Sequence, residues 1–497
     1  MGNVSFPNIP QNIRVPLFYA DLDNSKANTG ATTQRALIIG QMTSSGTGVA
    51  NTPVISQGTG DAKNVGGVGS MLALMTAAYR AADDFGEVWY LPLADDASAV
   101  AASGAINFST ASTATGVLYL YIAGQLVTMT VTSTQTPANL ATALAAAINA
   151  ASDLPVTAVV DATTTSKVDI TAKNKGLAAG DIDIRLNYKG AANGESTPTG
   201  LGVTITAMTG GLVNPSLTTG LANLLDQEFD FIALPYTDST SLDAMKAFLS
   251  TKTGRWSWSK QIYGHAFAAY RGTLASVTTF GVTRNDEHVS VMGFYDSPSP
   301  SYVWAADICA TSAVALRADP ARPLQTLALS TVLAPPLASR FDLTDRNVLL
   351  WDGISTFTVA DDGTVALENV VTTYQTNSYG QADDSYLEVE TMSTLTYVLR
   401  RLKSVITSQF PRMKLADDGT RITPGTNVVT PSIIKGALVA MYVEMEDNGY
   451  VQDSATFASK LIVQKNTTNP NRVDVIYPAV LMDQLRIFAL LMQFTLQ

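Results

Sequence analysis

Two histidines, His265 and His288, and one cysteine, Cys309, are all the imidazole and thiol in 497 residues, which leaves little for nucleophilic, acid–base or metal chemistry. His265 sits in the apolar run Gln261-Ile-Tyr-Gly-His-Ala-Phe267, which favours a buried structural role. His288 follows Asp286-Glu287 at a strand start, so a surface position is expected. Neither belongs to a Gly-x-Ser-x-Gly elbow or a His-Glu-x-x-His helix. Val65-Gly-Gly-Val-Gly-Ser70 precedes a helix as a phosphate loop would, yet it lacks the Gly-Lys-Ser/Thr ending and the spaced-glycine dinucleotide pattern. Ala-Asp-Asp-Gly-Thr occurs at 360–364 and 416–420; without alternating oxygen ligands and a closing Glu it reads as a turn and not a calcium loop. Arg400, Arg401 and Lys403 form the densest basic cluster on a predicted helix, read either as complement to the helix dipole or as a contact for an acidic partner surface. Trp256-Ser-Trp258 signals core or subunit contact. No catalytic, cofactor or metal site is assigned, and the chain is not expected to be an enzyme.

Composition supports this reading. Lys plus Arg number 31 against 42 Asp plus Glu, a net charge of −11, which disfavours a general nucleic-acid binder because phosphate neutralisation needs surplus cations. Hydrophobic residues make up 46% and charged residues 15%, as in a chain with a large core and much surface that is not simply solvated. A single cysteine rules out an intramolecular disulfide. The start, MGNVSFPNIP, lacks a secretory pattern, so the protein is expected to mature where it is made or to leave by another route.

The elements that would position these residues define an α/β and α+β multidomain protein. Residues 1–30 read as an extended N-terminal arm: Pro7, Pro10 and Pro16 forbid helix, while Ile13, Val15, Leu17 and Tyr19 alternate as in a strand with no nearby partner. Residues 31–95 plus 213–340 form a discontinuous α/β core domain with a mostly parallel sheet. Its predicted elements are a strand over 35–40, a helix over 69–84, a strand over 87–93, and after Gly210-Gly211 helices at 215–226, 240–252 and 272–280 alternating with strands at 229–234, 262–268 and 288–294. An α+β domain, 96–212, is inserted, with a hairpin about Gly124, a helix started by Thr136-Pro137, and strands at 156–160, 167–172 and 181–188. Residues 341–484 form a C-terminal α+β domain with short strands at 347–351, 356–359 and 364–367 and helices at 383–408 and 431–447. The last segment, 485–497, is an arm strand whose Ile487, Phe488, Leu490, Leu491, Met492, Phe494 and Leu496 cannot rest in water and must be paired or buried. A sheet including 457–463 and 473–477 is its expected docking surface, and pairing inside one chain is one way to reach it.

Several stretches resemble the contractile tail sheath subunits of Mu-like bacteriophages. They are Pro10-Gln-Asn-Ile-Arg-Val-Pro-Leu-Phe-Tyr-Ala20, Gly254-Arg-Trp-Ser-Trp258 with Tyr263-Gly-His-Ala-Phe267, Leu333-Ala-Pro-Pro-Leu337, Asn347-Val-Leu-Leu-Trp-Asp-Gly-Ile-Ser-Thr-Phe357, and Tyr386 to Lys403 with Tyr397-Val-Leu-Arg-Arg401. The resemblance implies a virion protein, assembled in the host cytoplasm, that polymerises as stacked hexameric rings about a tail tube and contracts to drive the tube through the host envelope. It implies itself, the tail tube protein, and baseplate and tail terminator proteins as partners, with no direct nucleic acid contact, no membrane insertion and no cofactor. It also implies arms that add strands to neighbouring subunits, and within that frame Arg400, Arg401 and Lys403 are expected to face the tube. Another virion assembly protein, tail tube or capsid-like, and an α/β hydrolase with an unrecognised Ser or Asp site are the alternatives.

Overall fold

The computed structural model describes residues 34–423 and 425–495. Ile13, Val15, Leu17 and Tyr19, together with Leu496, lie outside the described residues. The architecture is mixed α/β, with eleven α-helices and six sheets among the described residues.

Apolar runs bounded by turn residues form a six-stranded sheet in the order Val289–Phe294, His265–Arg271, Phe231–Ala233, Ala36–Gln41, Val88–Leu93 and Val54–Ile55. Every pairing is parallel except that of the short edge strand Val54–Ile55. The register sets Ala36 opposite both Phe231 and Val88, so strands far apart in sequence lie side by side. All six residues of Ala36–Gln41 and of Val289–Phe294 are buried, as in a parallel sheet covered on both faces. The helix Met71–Ala82 packs so closely on the first strand that a Cβ on Gly40 would lie 2.8 Å from the Leu72 Cα. Only glycine admits that approach.

Between the strands at 88–93 and 231–233 the chain makes a separate apolar core from residues 102–208. Its sheets have the orders Gly202–Thr209, Ser103–Thr110, Lys167–Ala172, Val156–Val160 and Gln125–Val131, Gly116–Ile122, Ile184–Leu186. Thr136 caps the helix Pro137–Ala150 by accepting from the Asn139 amide, as the Thr-Pro start requires. A third core joins the helices Val389–Gln409, Pro431–Asp447 and Ser454–Lys460 with the antiparallel hairpin Ile462–Lys465 and Val473–Ile476.

Several expectations are corrected. Residues 347–351 are helical, in Leu343–Trp351, because Asp342 and Asp345 close a reciprocal cap at its start. The segment 457–463 is the end of the helix Ser454–Lys460, capped by Asp453, followed by a strand from Ile462. Helix 215–226 contracts to Thr218–Ala222, and the segment 181–188 splits into a 3-10 turn, Leu177–Asp181, and the short strand Ile184–Leu186. The helix expected from 383 starts at Val389; Asp383 instead accepts from Ser385 and from the Tyr374 hydroxyl in the preceding loop. The longest buried helix, Ser301–Ala318, carries no sequence signal of the usual kind. Tyr302, Trp304, Ala305, Ala306, Ile308 and Cys309 are buried on successive sides of it, so no polar stripe marks a period, and Pro300 at its cap offers no side-chain acceptor.

Candidate assembly interface

The histidines are structural. His265 shares a 2.9 Å hydrogen bond with the Ser290 hydroxyl. His288 is not on the surface: it is 1% exposed and stacks on Trp256 at 4.7 Å. Burial, then the neighbouring His288, pushes His265 down to about 3, and burial takes His288 to about 4. The unfolded chain binds these protons near the usual pKa of about 6.5, so the stability held by two neutral imidazoles is complete above that pH and is lost as pH falls toward 4 and 3. Asp286, raised by burial to about 6, acts in the opposite sense, since its extra stability is lost as pH rises through 6. His265→Gln retains a partner for Ser290 and removes one titration; the drop in melting midpoint between about pH 8 and about pH 5 should shrink in this variant. An unchanged drop contradicts the assignment.

The glycine-rich loop is a helix cap. Ser70 accepts from the Ala73 amide, and Asn174 takes the Met71 amide at 2.8 Å, so the donors an anion would need are engaged. The Asp-Asp-Gly at 361–363 turns a hairpin between Thr356–Val359 and Val365–Asn369, with Gly363 at φ +88°. Among the described residues, no group of three or more His, Cys, Asp and Glu side chains is arranged to hold a metal. No described helix is long and apolar enough to cross a membrane.

The C-terminal segment stands apart chemically. The chain returns along its own body as far as Met482, whose amide donates to Tyr450, after the bridge Val451 to Leu481. Arg486 then turns inward and donates to Glu388 and Glu390 at 2.9 Å each. Beyond it Ile487, Phe488, Leu490, Leu491, Met492 and Phe494 are all at least 77% exposed, and residues 485–495 make no strand pairing among the described residues. Among the described residues each strand of the hairpin Ile462–Lys465 and Val473–Ile476 has one strand partner, the other. Ile462, Val475 and Ile476 on that hairpin are exposed.

The basic cluster separates into three environments. Arg400 is 15% exposed and engaged by Asp230 and Glu228, with Tyr263 below its guanidinium. Arg401 pairs with Glu444 at 2.7 Å, and Lys403 is exposed. Trp256 packs edge-on against Tyr263 and donates to the Gly264 carbonyl, whereas Trp258 is 86% exposed.

Bare apolar surface on this scale marks an interaction surface, and both histidines are held in structural contacts, which is the make-up of a subunit that associates with other protein. Residues 210–373 match the phage tail sheath protein central domain and residues 381–495 the phage tail sheath C-terminal domain. The Mu-like prophage FluMu tail sheath protein of Haemophilus influenzae is 40% identical over 496 residues, covering 99% of this chain and all of that one. The chain therefore belongs to the phage tail sheath family: it is a contractile tail component of the virion and not an enzyme. Among solved structures, the sheath tail protein Lin1278 from Listeria innocua matches with 14% identity and a TM-score of 0.46 over 93% of this chain and 94% of its own. The sheath of an extracellular contractile injection system, PVC, in its contracted state matches with 10% identity and a TM-score of 0.46 over 98% of each chain.

Proposed function

We propose that this subunit polymerises as stacked hexameric rings around a tail tube and is linked to its neighbours through both ends of its chain. The observation that carries the linkage is the apolar segment 487–494, bare beyond an anchored root. Burying its six large side chains is worth about 1.5–3 kcal/mol each, comparable to the cost of ordering about nine residues at ~1–2 kcal/mol apiece. The segment therefore stays open on an isolated subunit and docks where a neighbour adds backbone hydrogen bonds, as the hairpin at 462–465 and 473–476 would. Residues 10–20, with Ile13, Val15, Leu17 and Tyr19, supply the second link. Backbone ladders of this kind keep subunits joined while rigid bodies rotate during contraction. Assembly takes place in the host cytoplasm, with baseplate and terminator proteins bounding the polymer. Negative-stain microscopy of the purified chain tests this: wide-bore hollow cylinders are expected, and closed shells or discrete particles would refute it.

The tube-facing surface on this reading is the stretch of the helix Val389–Gln409 that carries Arg401 and Lys403, ahead of its last turn. Arg400, already paired internally, is assigned to holding that helix in place. Lys403→Glu with Arg401→Glu should weaken tube-templated assembly about tenfold at low salt and less at high salt, as screened contacts do. Equal assembly across the salt series would leave these residues as ordinary solvated charges, since the helix carries no basic residue in its last turn.

Residues 96–212 form the outer domain of the proposed layout, between a core of 31–95 plus 213–340 and an assembly domain of 341–484. Excision would be a poor test, because Ser301 donates to Asp181 and Arg185 pairs with Asp296 at 2.9 Å across the junction. A small folded tag inserted in the exposed turn at Thr163-Thr164 should instead leave cylinder formation intact. A folded, tagged subunit that forms no cylinders would put this region inside the lattice.

A further inference from the structure

The helix Val389–Gln409 meets the roots of both chain ends. At its start, buried Glu390 accepts from Arg486, and the same oxygen accepts from the Leu324 amide at 2.5 Å. Glu388, just before the first turn, accepts from the same Arg486 nitrogen, which also reaches Gln484 at 3.0 Å. Ten residues on, about 15 Å along the axis, Arg400 holds Asp230. Asp230 is itself the support of the other end: its Oδ2 accepts from the Arg35 amide at 3.2 Å, and its own amide donates to the Arg35 carbonyl at 2.8 Å. Arg317 donates to the neighbouring Gln34 carbonyl at 3.2 Å. Gln34 also shares a small cleft with Val389, Met392, Ser393 and Thr396 of the helix's first turns. Arg401 ties the same helix to Glu444 on Pro431–Asp447.

We propose that this helix is a strut whose two ion-paired pins, Arg486 on Glu388 and Glu390 and Arg400 on Asp230, hold the roots of both terminal segments in one rigid unit. This rests on the reading of the chain ends as links between subunits. In that setting, load entering through residues 487–497 passes along one helix to Arg35 and the segment before it, and is not absorbed by the loops between them. Burial supplies the rigidity: Glu390 is fully buried and Asp230 nearly so, and a buried charge stripped of its partner is strongly unfavourable, so neither pin slips without cost.

Amide hydrogen exchange on the full-length chain, compared in the same assembly state for every variant, tests the strut directly, with the Leu324 and Arg35 amides as reporters of the two pins. Arg486→Met should speed exchange about tenfold or more at Leu324 and also at Arg35, and Arg400→Met should do the same from the other end. The double variant should add little to either single one. Acceleration confined to the altered end, multiplying in the double variant, would overturn the proposal and leave two independent clasps. Unchanged Ile38 and Phe267 amides certify the core; if Arg400→Met loses them, Asp230→Asn, which keeps the shape, takes its place and must show the same two-ended response. The linkage reading fails separately: a chain lacking residues 487–497 that still polymerises refutes the links while leaving the exchange result as it stands.

Discussion

Removing residues 487–497 is expected to yield a folded, soluble subunit that forms no polymer. The deletion takes away Ile487, Phe488, Leu490, Leu491, Met492 and Phe494, none of which contributes to the three apolar cores, and it spares Arg486 and its two glutamates. Melting should therefore change little, while cylinders disappear from electron micrographs at concentrations where the parent chain forms them. Deleting residues 1–20 should have the same outcome through the other link. A cooperative transition lost on either truncation would show that the segment is an internal strand of its own subunit. Cylinders that persist after both would show that the ends do not link the lattice.

The largest effect on folding is expected at Asp307. This carboxylate, on the buried helix Ser301–Ala318, is fully buried and accepts from the Ser330 amide at 3.1 Å, the Thr331 amide and hydroxyl at 2.6 and 2.7 Å, and the Val332 amide at 3.3 Å. Burial raises its pKa, and the bonds from Thr331, Ser330 and Val332 pull the other way. It is the only side chain that satisfies the loop leading into Leu333-Ala-Pro-Pro-Leu337 at those three amides among the described residues. Asp307→Ala leaves these donors without partners and should cost about 3 kcal/mol or more. At roughly 2–4 °C per kcal/mol for a domain of about 200 residues, the melting midpoint should fall by at least about 5 °C. Asp307→Asn, which keeps one acceptor, should lose less. A midpoint equal to the parent's in the alanine variant would mean that the loop is held by its apolar contacts alone.

What could be read from the residues follows from how local the signals are. Arg35-Ala-Leu-Ile-Ile-Gly40, Thr136-Pro137 and Thr430-Pro431 announce a buried strand and two capped helix starts within a few residues, and all three form. The apolar terminus is equally plain, since six large side chains in eight positions need no fold to be recognised. The helix Ser301–Ala318 escapes because burial around most of its circumference, with an apolar Val314 at an exposed position, erases the period by which helices are found. Residues 347–351 mislead for a related reason: their apolar run suits a strand or a short helix, and the Asp342 and Asp345 cap decides it. His288, next to two acidic residues, is placed on the surface by its neighbours in sequence and in the core by Trp256, which arrives from a distant loop.

The same limit governs the basic cluster and the C-terminal root. Arg400 and Asp230 are 170 residues apart, and Arg486 and Glu390 are 96 apart, so no spacing rule connects them. Arg400 looks like a free cation beside Arg401 and Lys403 until the sheet is assembled and Asp230 appears at the start of the interior strand Phe231–Ala233. Glu388 and Glu390 read as complements to a helix dipole, and so they are placed, but their partner is the arginine at the root of the last segment.

The most direct test of the linked-lattice account is a cryo-electron microscopy reconstruction of the polymer formed by the full-length chain, traced through residues 486–495. The account predicts continuous density that leaves the body at Arg486 and runs as an added strand on the small hairpin of a neighbouring subunit, at the edge of Ile462–Lys465 or Val473–Ile476. Density that folds back from Arg486 onto the subunit's own hairpin, with no crossing between subunits, would contradict it.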